Sequence, residues 1–453
     1  MKTVISTLLI AFFLVLAQNV RSQTVLEEYI REGLANNIVL KQRNIALEKA
    51  MLSLRIANSY FTPTVGLQGN YTSGNGGRSI AIPVGDLLNP VYSTLNQLTG
   101  SDAFPQIENV NQNFFPYNFY DAKVHTTVSI INTDLIYNRK ISQQQVVLQE
   151  FEADIYKREL IKNIKVAYFN YLSANEAIRI YESALKRGEE GKRVNESLLE
   201  NGKGLPAYIL RSQSEIETTS AQKSDAERQV QNAQLYFNFL LNRKSNEVVQ
   251  ATLDAQEEFS KLNLTVSDSL STQNREELKM LRESISLSNN IVKMNKLFWV
   301  PKVNGFLDLG SQAQDWKVSS ASRYYLLGVQ LDVPIFAANR NRNKSKMTSL
   351  DLKSAQLGFS NNAQQINLSA QAAKNNLYTA HQNYQSAKKQ EEAATSYQKL
   401  IDKGYKEGVN TFIEAIDARN QLTQAQLQVS ISRYRVLSAA AQYERETASY
   451  AIN

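Results

Sequence analysis

The chain has no cysteine and only two histidines among its 453 residues. Disulfide frameworks, zinc sites built from cysteine and histidine, and thiol catalysis are therefore excluded. His125 and His381 lie far apart, one in a predicted strand and one in the middle of a predicted helix, which is typical of surface or packed histidines.

Long apolar runs are also missing. After residue 22 no stretch reaches 18 consecutive apolar residues, which excludes a helical membrane protein. Membrane β-strands are not excluded, because they need only about 9 to 11 alternating residues.

Positive charge is in mild excess and is not clustered. The formal net charge is +7, and no face combines Lys, Arg and aromatic residues, which argues against a nucleic-acid partner. The sequence shows no nucleophile–base grouping, no metal-ligand spacing and no phosphate-binding loop. We therefore expect a protein that is not an enzyme and that uses no cofactor or metal.

Residues 1–22 have the features of a secretory signal peptide. Lys2 supplies a positive start, residues 4–17 form an apolar stretch, and residues 20–22 provide a small-residue exit. The apolar stretch is shorter than the about 20 residues of a membrane-spanning helix. Cleavage after residue 22 would remove Lys2 and Arg21 and lower the formal charge from +7 to +5.

The same order of elements occurs twice along the chain. Residues 60–66 (Tyr-Phe-Thr-Pro-Thr-Val-Gly) recur as residues 298–304 (Phe-Trp-Val-Pro-Lys-Val-Asn), and residues 204–209 align with residues 408–413. A tandem repeat of an elongated unit predicts a structural assembly and does not favour a catalytic pocket.

Two structural repeats and a linker are expected after the signal peptide. The first repeat, residues 23–245, comprises a helix, a strand pair within 61–136 and a helical hairpin with its tip at 201–206. The second, residues 274–453, comprises a helix, a strand pair within 301–336, a hairpin with its tip at 404–411 and a C-terminal helix. Residues 246–273 link the repeats.

Four segments alternate between apolar and polar residues, near 64–71, 124–131, 303–309 and 325–333. Taken alone, each also suits a half-buried strand of a soluble sheet. Two separated hairpins cannot close a barrel within one chain, and an open sheet edge cannot lie in lipid. Membrane strands would therefore require oligomerisation, and a trimer with four strands from each chain would give a closed, even-numbered barrel.

The connections between the paired strands differ in length. About 50 residues, 72–123, separate the first two strands, and we expect them to form an enlarged outer loop or a plug-like cover. The corresponding loop of the second repeat, near residues 312–323, has only about 12 residues.

The helical segments are unusually long. From about Ile141 to Leu199 there is no proline and one weak break, at Gly188 and Gly191, so a helix of roughly 90 Å is possible. Apolar steps of three and four residues predict coiled-coil packing. Taken alone, these helices also suit a soluble coiled-coil rod.

Just past the second tip, Glu414 and Asp417 share one face at the start of a predicted helix. Carboxylates at this position suit the helix macrodipole, which is sufficient reason for them in a monomer. In a ring of subunits the same pair would form an acidic constriction, an arrangement typical of cation selectivity and gating.

In combination, these features resemble the TolC-like outer-membrane efflux channel family. The resemblance depends on the order of the elements, the start Asn274-Arg275-Glu276-Glu277-Leu278, the strand exit Val333-Pro334-Ile335-Phe336, and above all residues 408–418, Gly-Val-Asn-Thr-Phe-Ile-Glu-Ala-Ile-Asp-Ala. It covers essentially the whole mature chain. Two departures stand out: Thr133-Asp134-Leu135 replaces the typical strand exit in the first repeat, and Asn410 replaces the basic residue that latches the gate in the best-known member.

The resemblance implies a mainly α-helical fold with membrane β-strands. Long antiparallel coiled-coil helices and two β-hairpins would form a shared 12-stranded β-barrel and an α-helical barrel in a homotrimer. Residues 246–273 would form part of an equatorial belt. The channel would lie in outer-membrane lipid, extend into the periplasm and open by rearrangement of its periplasmic helix tips. The implied partners are a periplasmic adaptor (membrane fusion) protein and an inner-membrane pump of the resistance-nodulation-division or ABC type, in a tripartite efflux or type I secretion assembly.

The resemblance also implies roles for individual residues. The periplasmic gate would include Glu414, Asp417 and Tyr405. The adaptor-docking tips would include Gly202, Gly204, Leu205, Gly404, Gly408 and Val409.

A periplasmic coiled-coil adaptor or scaffold is the alternative. It would explain the signal peptide and the helices, but it would not need two alternating strand pairs preceded by Pro63 and Pro301. The exported cargo is not specified by the sequence, because the lining of a conduit is generic.

Overall fold

The structure is a computed structural model that describes residues 25–115, 117–252 and 272–452. The predicted signal peptide and most of the predicted belt segment, residues 253–271, lie outside the described residues.

The described elements follow one plan in each half of the chain. The first half contains α1 (Val25–Asn36), α2 (Ile38–Ser59), β1 (Thr64–Thr72), β2 (Ser79–Ile82), α3 (Val84–Thr99), β3 (Val110–Asn113), β4 (Phe119–Ile131), α4 (Thr133–Glu200) and α5 (Pro206–Leu241). The second half contains α6 (Glu276–Lys296), β5 (Lys302–Gln314), a 3-10 turn (Ser320–Ser322), β6 (Arg323–Asp332), α7 (Arg340–Lys406) and α8 (Phe412–Thr447). The predicted mainly helical fold and its tandem repeat are confirmed.

Two helices are exceptionally long. α4 has 68 residues and α7 has 67, about 100 Å each at 1.5 Å per residue. α4 begins at Thr133, earlier than predicted, and the Asn132 side chain accepts a hydrogen bond from the Asp134 backbone N–H at 3.0 Å at this start. As predicted, the helix continues through Gly188 and Gly191. No helix in the described part of the chain has both the length and the apolar character required to cross a membrane.

The chain divides into two compact units. One comprises the described residues of Met1–Met51, Gln144–Ser288 and Asp351–Asn453, and the other comprises those of Leu52–Gln143 and Asn289–Leu350. The first is helical, and the second contains the strands.

In the strand-containing unit, the long strands form one antiparallel sheet in the order β1-β4-β5-β6. β4 pairs with β5 from Phe119↔Gln314 to Ile131↔Val303, although the two strands belong to different repeats. The predicted strand pairs β1–β4 and β5–β6 are present, but the prediction that the two pairs are separated is wrong. Alternation assigns each residue to a face of a strand, but it does not specify which strands are neighbours.

The two faces of this sheet differ in polarity. Residues that are directly opposite in the register share a face. One face is mostly apolar and includes Val65, Leu67, Val124, Val128, Val303, Leu307, Leu309, Leu327, Val329 and Leu331. The other is mostly polar and includes Thr64, Gln68, Asn70, Lys123, His125, Thr127, Asn304, Asp308 and Gln330. Apolar side chains remain accessible on the first face, with Leu67 84% and Leu327 73% exposed.

The long segment between β1 and β4 has its own secondary structure. The expectation of a loop over residues 72–123 is corrected, because β2 and β3 form an antiparallel ribbon and α3 lies between them in sequence. Strand β4 itself begins at Phe119, before the predicted start.

The core of the helical unit is aromatic where α1, α4 and α5 meet. Tyr29, Tyr168 and Phe237 are at most 5% exposed, and their ring centroids lie 5.0 to 5.6 Å apart. Such edge and tilted ring pairs add about 0.5–1.5 kcal/mol each beyond the area they bury.

A buried ionic cluster connects the start of α6 with the end of α8. Arg275, 3% exposed, donates to Glu446 Oε2 at 2.6 Å and to Glu277 Oε1 at 2.6 Å. Arg445 reaches Glu277 Oε1 at 3.1 Å. The first turn of the second repeat is thereby anchored to the C-terminal helix within the same unit.

Candidate gate and docking tips

Each helical hairpin ends in a short glycine-containing turn. Between α4 and α5, Gly202 has φ +74°, and its backbone N–H donates to Leu199 O at 2.9 Å. A Cβ at Gly204 would lie 2.7 Å from the Leu199 backbone nitrogen. These two positions of the tip therefore require glycine, while Leu205 stays 54% exposed just before Pro206 starts α5.

The second turn has a related geometry. Gly408 has φ +80°, and the Val409 N–H donates to Gly404 O at 2.8 Å. A Cβ on Gly404 would overlap the Asn410 side chain. Val409 is 80% exposed. Both tips thus present an exposed aliphatic side chain beside glycines that fix the turn.

Glu414 closes a capping box at the start of α8. Its backbone N–H donates to Thr411 Oγ1 at 3.3 Å, and its carboxylate accepts from the Thr411 backbone N–H at 2.7 Å and from the Thr411 hydroxyl at 3.0 Å. These hydrogen bonds, the backbone one first, hold the pKa of Glu414 below its ordinary value of 4.5. The carboxylate is therefore ionised and still exposed.

Asp417 lies one turn further along α8 and is also exposed. It accepts a hydrogen bond from Gln421 Nε2 at 2.7 Å. The two carboxylates do not bind each other. They share one side of the helix, so a single chain presents a pair of negative charges near the tip.

Tyr405, in contrast, is buried, with 8% of its surface exposed. Its hydroxyl donates a short hydrogen bond to Asn195 Oδ1, and Asn195 Nδ2 donates to Ser212 Oγ at 2.8 Å. This chain of polar groups connects α7, α4 and α5. Burial raises the pKa of Tyr405, so the phenol remains a donor.

An aromatic contact lies beside this network. Phe412 of α8 stacks on Tyr208 of α5 with ring centroids 4.5 Å apart, and Tyr405 is 6.1 Å from Phe412. Phe412 is 4% exposed and Ala415 is fully buried. The two hairpins of one chain are therefore held together at their tips by a small mixed core.

A second connection between the hairpins lies further from the tip. Arg419 of α8 donates to Asp402 Oδ1 of α7 at 3.0 Å, and a Cβ on Gly191 of α4 would overlap its guanidinium group. Arg187 of α4 donates to Thr423 Oγ1 of α8 at 3.0 Å. Gly191 is thus needed for space, not for its backbone freedom.

The structure therefore separates the three predicted gate residues. Glu414 and Asp417 lie together at the surface of α8, whereas Tyr405 belongs to the buried contact between hairpins. Sequence reasoning missed the partners Asn195 and Ser212. It also missed the capping box, although the Thr411-x-x-Glu414 pattern is its usual signature.

The sequence also identifies the family to which the chain belongs. The sequence pattern of the outer membrane efflux protein family matches residues 29–243 and 269–445. The chain belongs to this family. The predicted relationship to TolC-like channels is confirmed, and membership places the protein in the outer membrane. No curated protein sequence matches the chain significantly.

Solved structures of this family share the fold. The outer-membrane channel OprN is 16% identical, with a TM-score of 0.75 over 94% of this chain and 90% of that chain. The CmeC outer membrane channel of Campylobacter jejuni is 15% identical, with a TM-score of 0.73 over 93% and 85%. CusC is 13% identical, with a TM-score of 0.78 over 93% and 91%. At these identities the likeness concerns the fold alone.

Proposed function

We propose that this chain is one subunit of a homotrimeric channel that exports small molecules or other substrates across the outer membrane. The sheet carries the proposal. β1 and β6 each pair with a strand on one side only in the described part of the chain, and an unpaired edge cannot lie in lipid. Three copies joined edge to edge would make a twelve-stranded barrel with its apolar face towards lipid and its polar face lining the pore.

The helical unit supports the same assembly. Four large side chains on one face of α7, namely Leu357, Leu368, Tyr378 and Leu400, are 64–70% exposed in the single chain. They lie within about 80° around the helix axis at 100° per residue. Polar residues such as Gln364, Asn375 and Gln382 lie between them on the same side of the helix. A neighbouring copy in a helical barrel would cover this mixed surface.

Opening of the channel is proposed to occur at the tips. Three copies of Glu414 and Asp417 around an axis would form an acidic constriction that attracts cations. The buried Tyr405–Asn195–Ser212 network would hold the closed state, and its separation would accompany opening. The adaptor of a tripartite efflux or type I secretion assembly would dock on the tips, with Leu205 and Val409 as apolar contacts beside the glycines.

Single-channel recording in planar bilayers tests the gate. We expect cation-selective openings that divalent cations block from the side of the tips, and block weakened at least tenfold in the Glu414→Ala/Asp417→Ala double variant. Glu200→Ala is the matched control, because Glu200 is an exposed acid at the other tip. Equal block in the double variant would remove the pair from the gate.

Two further measurements test assembly and docking. Light scattering of the detergent-purified protein should give the mass of three chains, and a monomer would contradict the barrel. Leu205→Asp/Val409→Asp should leave the conductance of the purified channel unchanged but abolish drug export in cells. Unchanged export would place the adaptor elsewhere.

A further inference from the structure

The segment between β1 and β4 is a folded insert. β2 and β3 pair from Ser79↔Asn113 to Ile82↔Val110, and α3 follows directly after Pro83. The insert leaves the sheet where Thr72 pairs with Phe119. Within the strand-containing unit, α2 ends just before β1, at the opposite end of that strand, so the insert and this helix end adjoin opposite ends of the sheet.

One face of α3 is fixed by side-chain amides. Asn89 donates to Ile107 O at 2.9 Å and accepts from the Ile107 N–H at 2.9 Å. Asn96 makes the same pair of bonds with Phe104, at 2.8 and 3.0 Å. The two asparagines are seven residues apart and therefore lie on one face of α3. This face is occupied by the segment after α3, which contains Phe104 and Ile107.

The opposite face is an uncharged stripe that is open to solvent. Its members are Leu87, Val91, Thr94 and Leu98, spaced by four, three and four residues. Leu87, Val91 and Leu98 are 68%, 51% and 78% exposed. The Thr94 hydroxyl donates to Pro90 O at 2.9 Å and is satisfied within the helix. This spacing is that of a helix-pairing seam.

The charges of the insert indicate which kind of partner would cover the stripe. Between β1 and β4, the insert contains Asp86, Asp102 and Glu108 and a single basic residue, Arg78, which lies outside α3. Helices that lie on lipid surfaces usually carry Lys and Arg on the polar face, so an anionic membrane surface is a poor partner. A second copy fits better, because the stripe is neutral and its spacing is self-complementary.

The size of the stripe indicates when it is occupied. Four side chains offer an area on the order of a few hundred Å², below the about 800 Å² per partner of a stable complex. Such a contact forms only between copies that are already held together, because their effective concentration is then high.

We propose that the α3 stripes of neighbouring subunits meet and form a nonpolar seal at the outer mouth of the channel. This rests on the proposed trimer, in which the inserts of all subunits lie at the end of the barrel remote from the helices. Apolar constrictions stop hydrated ions by excluding water, so the seal would be a second closure, chemically unlike the acidic tips.

Cysteine substitution tests the contact directly, because the chain has no cysteine. We expect Leu98→Cys, oxidised in outer membranes, to give reducible disulfide-linked dimers that contain up to two of every three subunits. Gln97→Cys is the matched control: Gln97 is also exposed, but it points about 100° away from Leu98, and it should remain uncrosslinked.

Two outcomes would overturn the seal, and light scattering distinguishes them. A trimer in which Leu98→Cys reacts with a soluble maleimide but does not crosslink overturns the seal and leaves the proposed channel intact. A monomeric protein overturns both. As a functional readout, Val91→Asp/Leu98→Asp should raise the open fraction in bilayers at least severalfold, and an unchanged open fraction would mean that the stripes do not close the mouth.

Discussion

Tyr208 and Phe412 stack with their ring centroids 4.5 Å apart, and they occupy equivalent positions in the two repeats. Each residue lies four positions after a tip glycine, Gly204 or Gly408. The duplicated element therefore binds its own counterpart. At the tips, equivalent positions of the two repeats therefore pack against each other. The hydrogen bond between Tyr405 and Asn195 is an exception, because the equivalent positions with the repeats exchanged do not form one.

Removing the Tyr405 hydroxyl should loosen this contact. Tyr405→Phe leaves the buried Asn195 Oδ1 without its donor, which costs about 1–3 kcal/mol. We expect a higher open fraction in bilayers and greater uptake of a large antibiotic that the intact outer membrane excludes. Tyr236→Phe on α5, where the side chain is 52% exposed, should behave like the native protein, and equal behaviour of the two variants would contradict the role of Tyr405.

Acid should weaken the capping box at the start of α8. The folded-state pKa of Glu414 lies below 4.5, so its stabilisation is complete above pH 4.5 and is lost as the pH falls through the lower folded-state value. The open fraction should rise over that acid range. Glu414→Gln keeps a side chain that suits a capping box, and its open fraction should not rise over this acid range. If the variant and the native protein had the same pH profile, other groups would cause the change.

Alanine substitutions at Gly191 and at Gly358 should have opposite effects on the stability of the protein. A Cβ on Gly191 overlaps the Arg419 guanidinium, whereas a Cβ on Gly358 meets nothing within 4 Å. Gly191→Ala should destabilise the protein by about 1–3 kcal/mol, and Gly358→Ala should stabilise it by about 0.5–1 kcal/mol. Thermal unfolding in detergent measures both, and a shift of the same sign would refute the packing argument.

The buried Arg275 should be far more important than an exposed arginine. Arg275→Met leaves Glu277 and Glu446 without their main partner, at a cost of about 3–5 kcal/mol. Arg211→Met is the control, because Arg211 is 61% exposed and pairs with Glu215 on the same helix, an interaction worth about 0–1 kcal/mol. Denaturant unfolding that gave similar values for both would show that the cluster is not an anchor.

Much of the fold could be predicted from the sequence, because its elements are long and strongly patterned. Alternation located all four long strands, and the absence of proline indicated α4. The β4–β5 pairing could not be predicted from the sequence, because it joins residues about 180 positions apart and no sequence feature indicates that these two strands are neighbours. α3 was not predicted, because the abundance of Asn, Gly and Pro in this segment indicated a loop. The stripe of Leu87, Val91, Thr94 and Leu98 nevertheless has helical spacing.

The candidate site was predictable to a lesser degree. Glu414 and Asp417 were singled out because their spacing puts them on one helix face, and both are exposed; their role in a gate stays a prediction. Asn195 and Ser212 were not, because single polar residues within long helices look like solvated positions until tertiary packing buries them. The capping box was visible as Thr411-x-x-Glu414, but the carboxylate was interpreted only through the helix dipole.

The two tips share their aromatic contact but differ in charge. At the first tip, the positions equivalent to Thr411, Glu414 and Asp417 are Ala207, Leu210 and Gln213, so it has neither the cap nor the carboxylates. In the second tip, the acid that would face passing ions is also the group that stabilises the helix end. In the proposed channel, one carboxylate therefore contributes both to ion selectivity and to helix stability, so a variant that alters the charge of the passage would also alter the helix that would have to move.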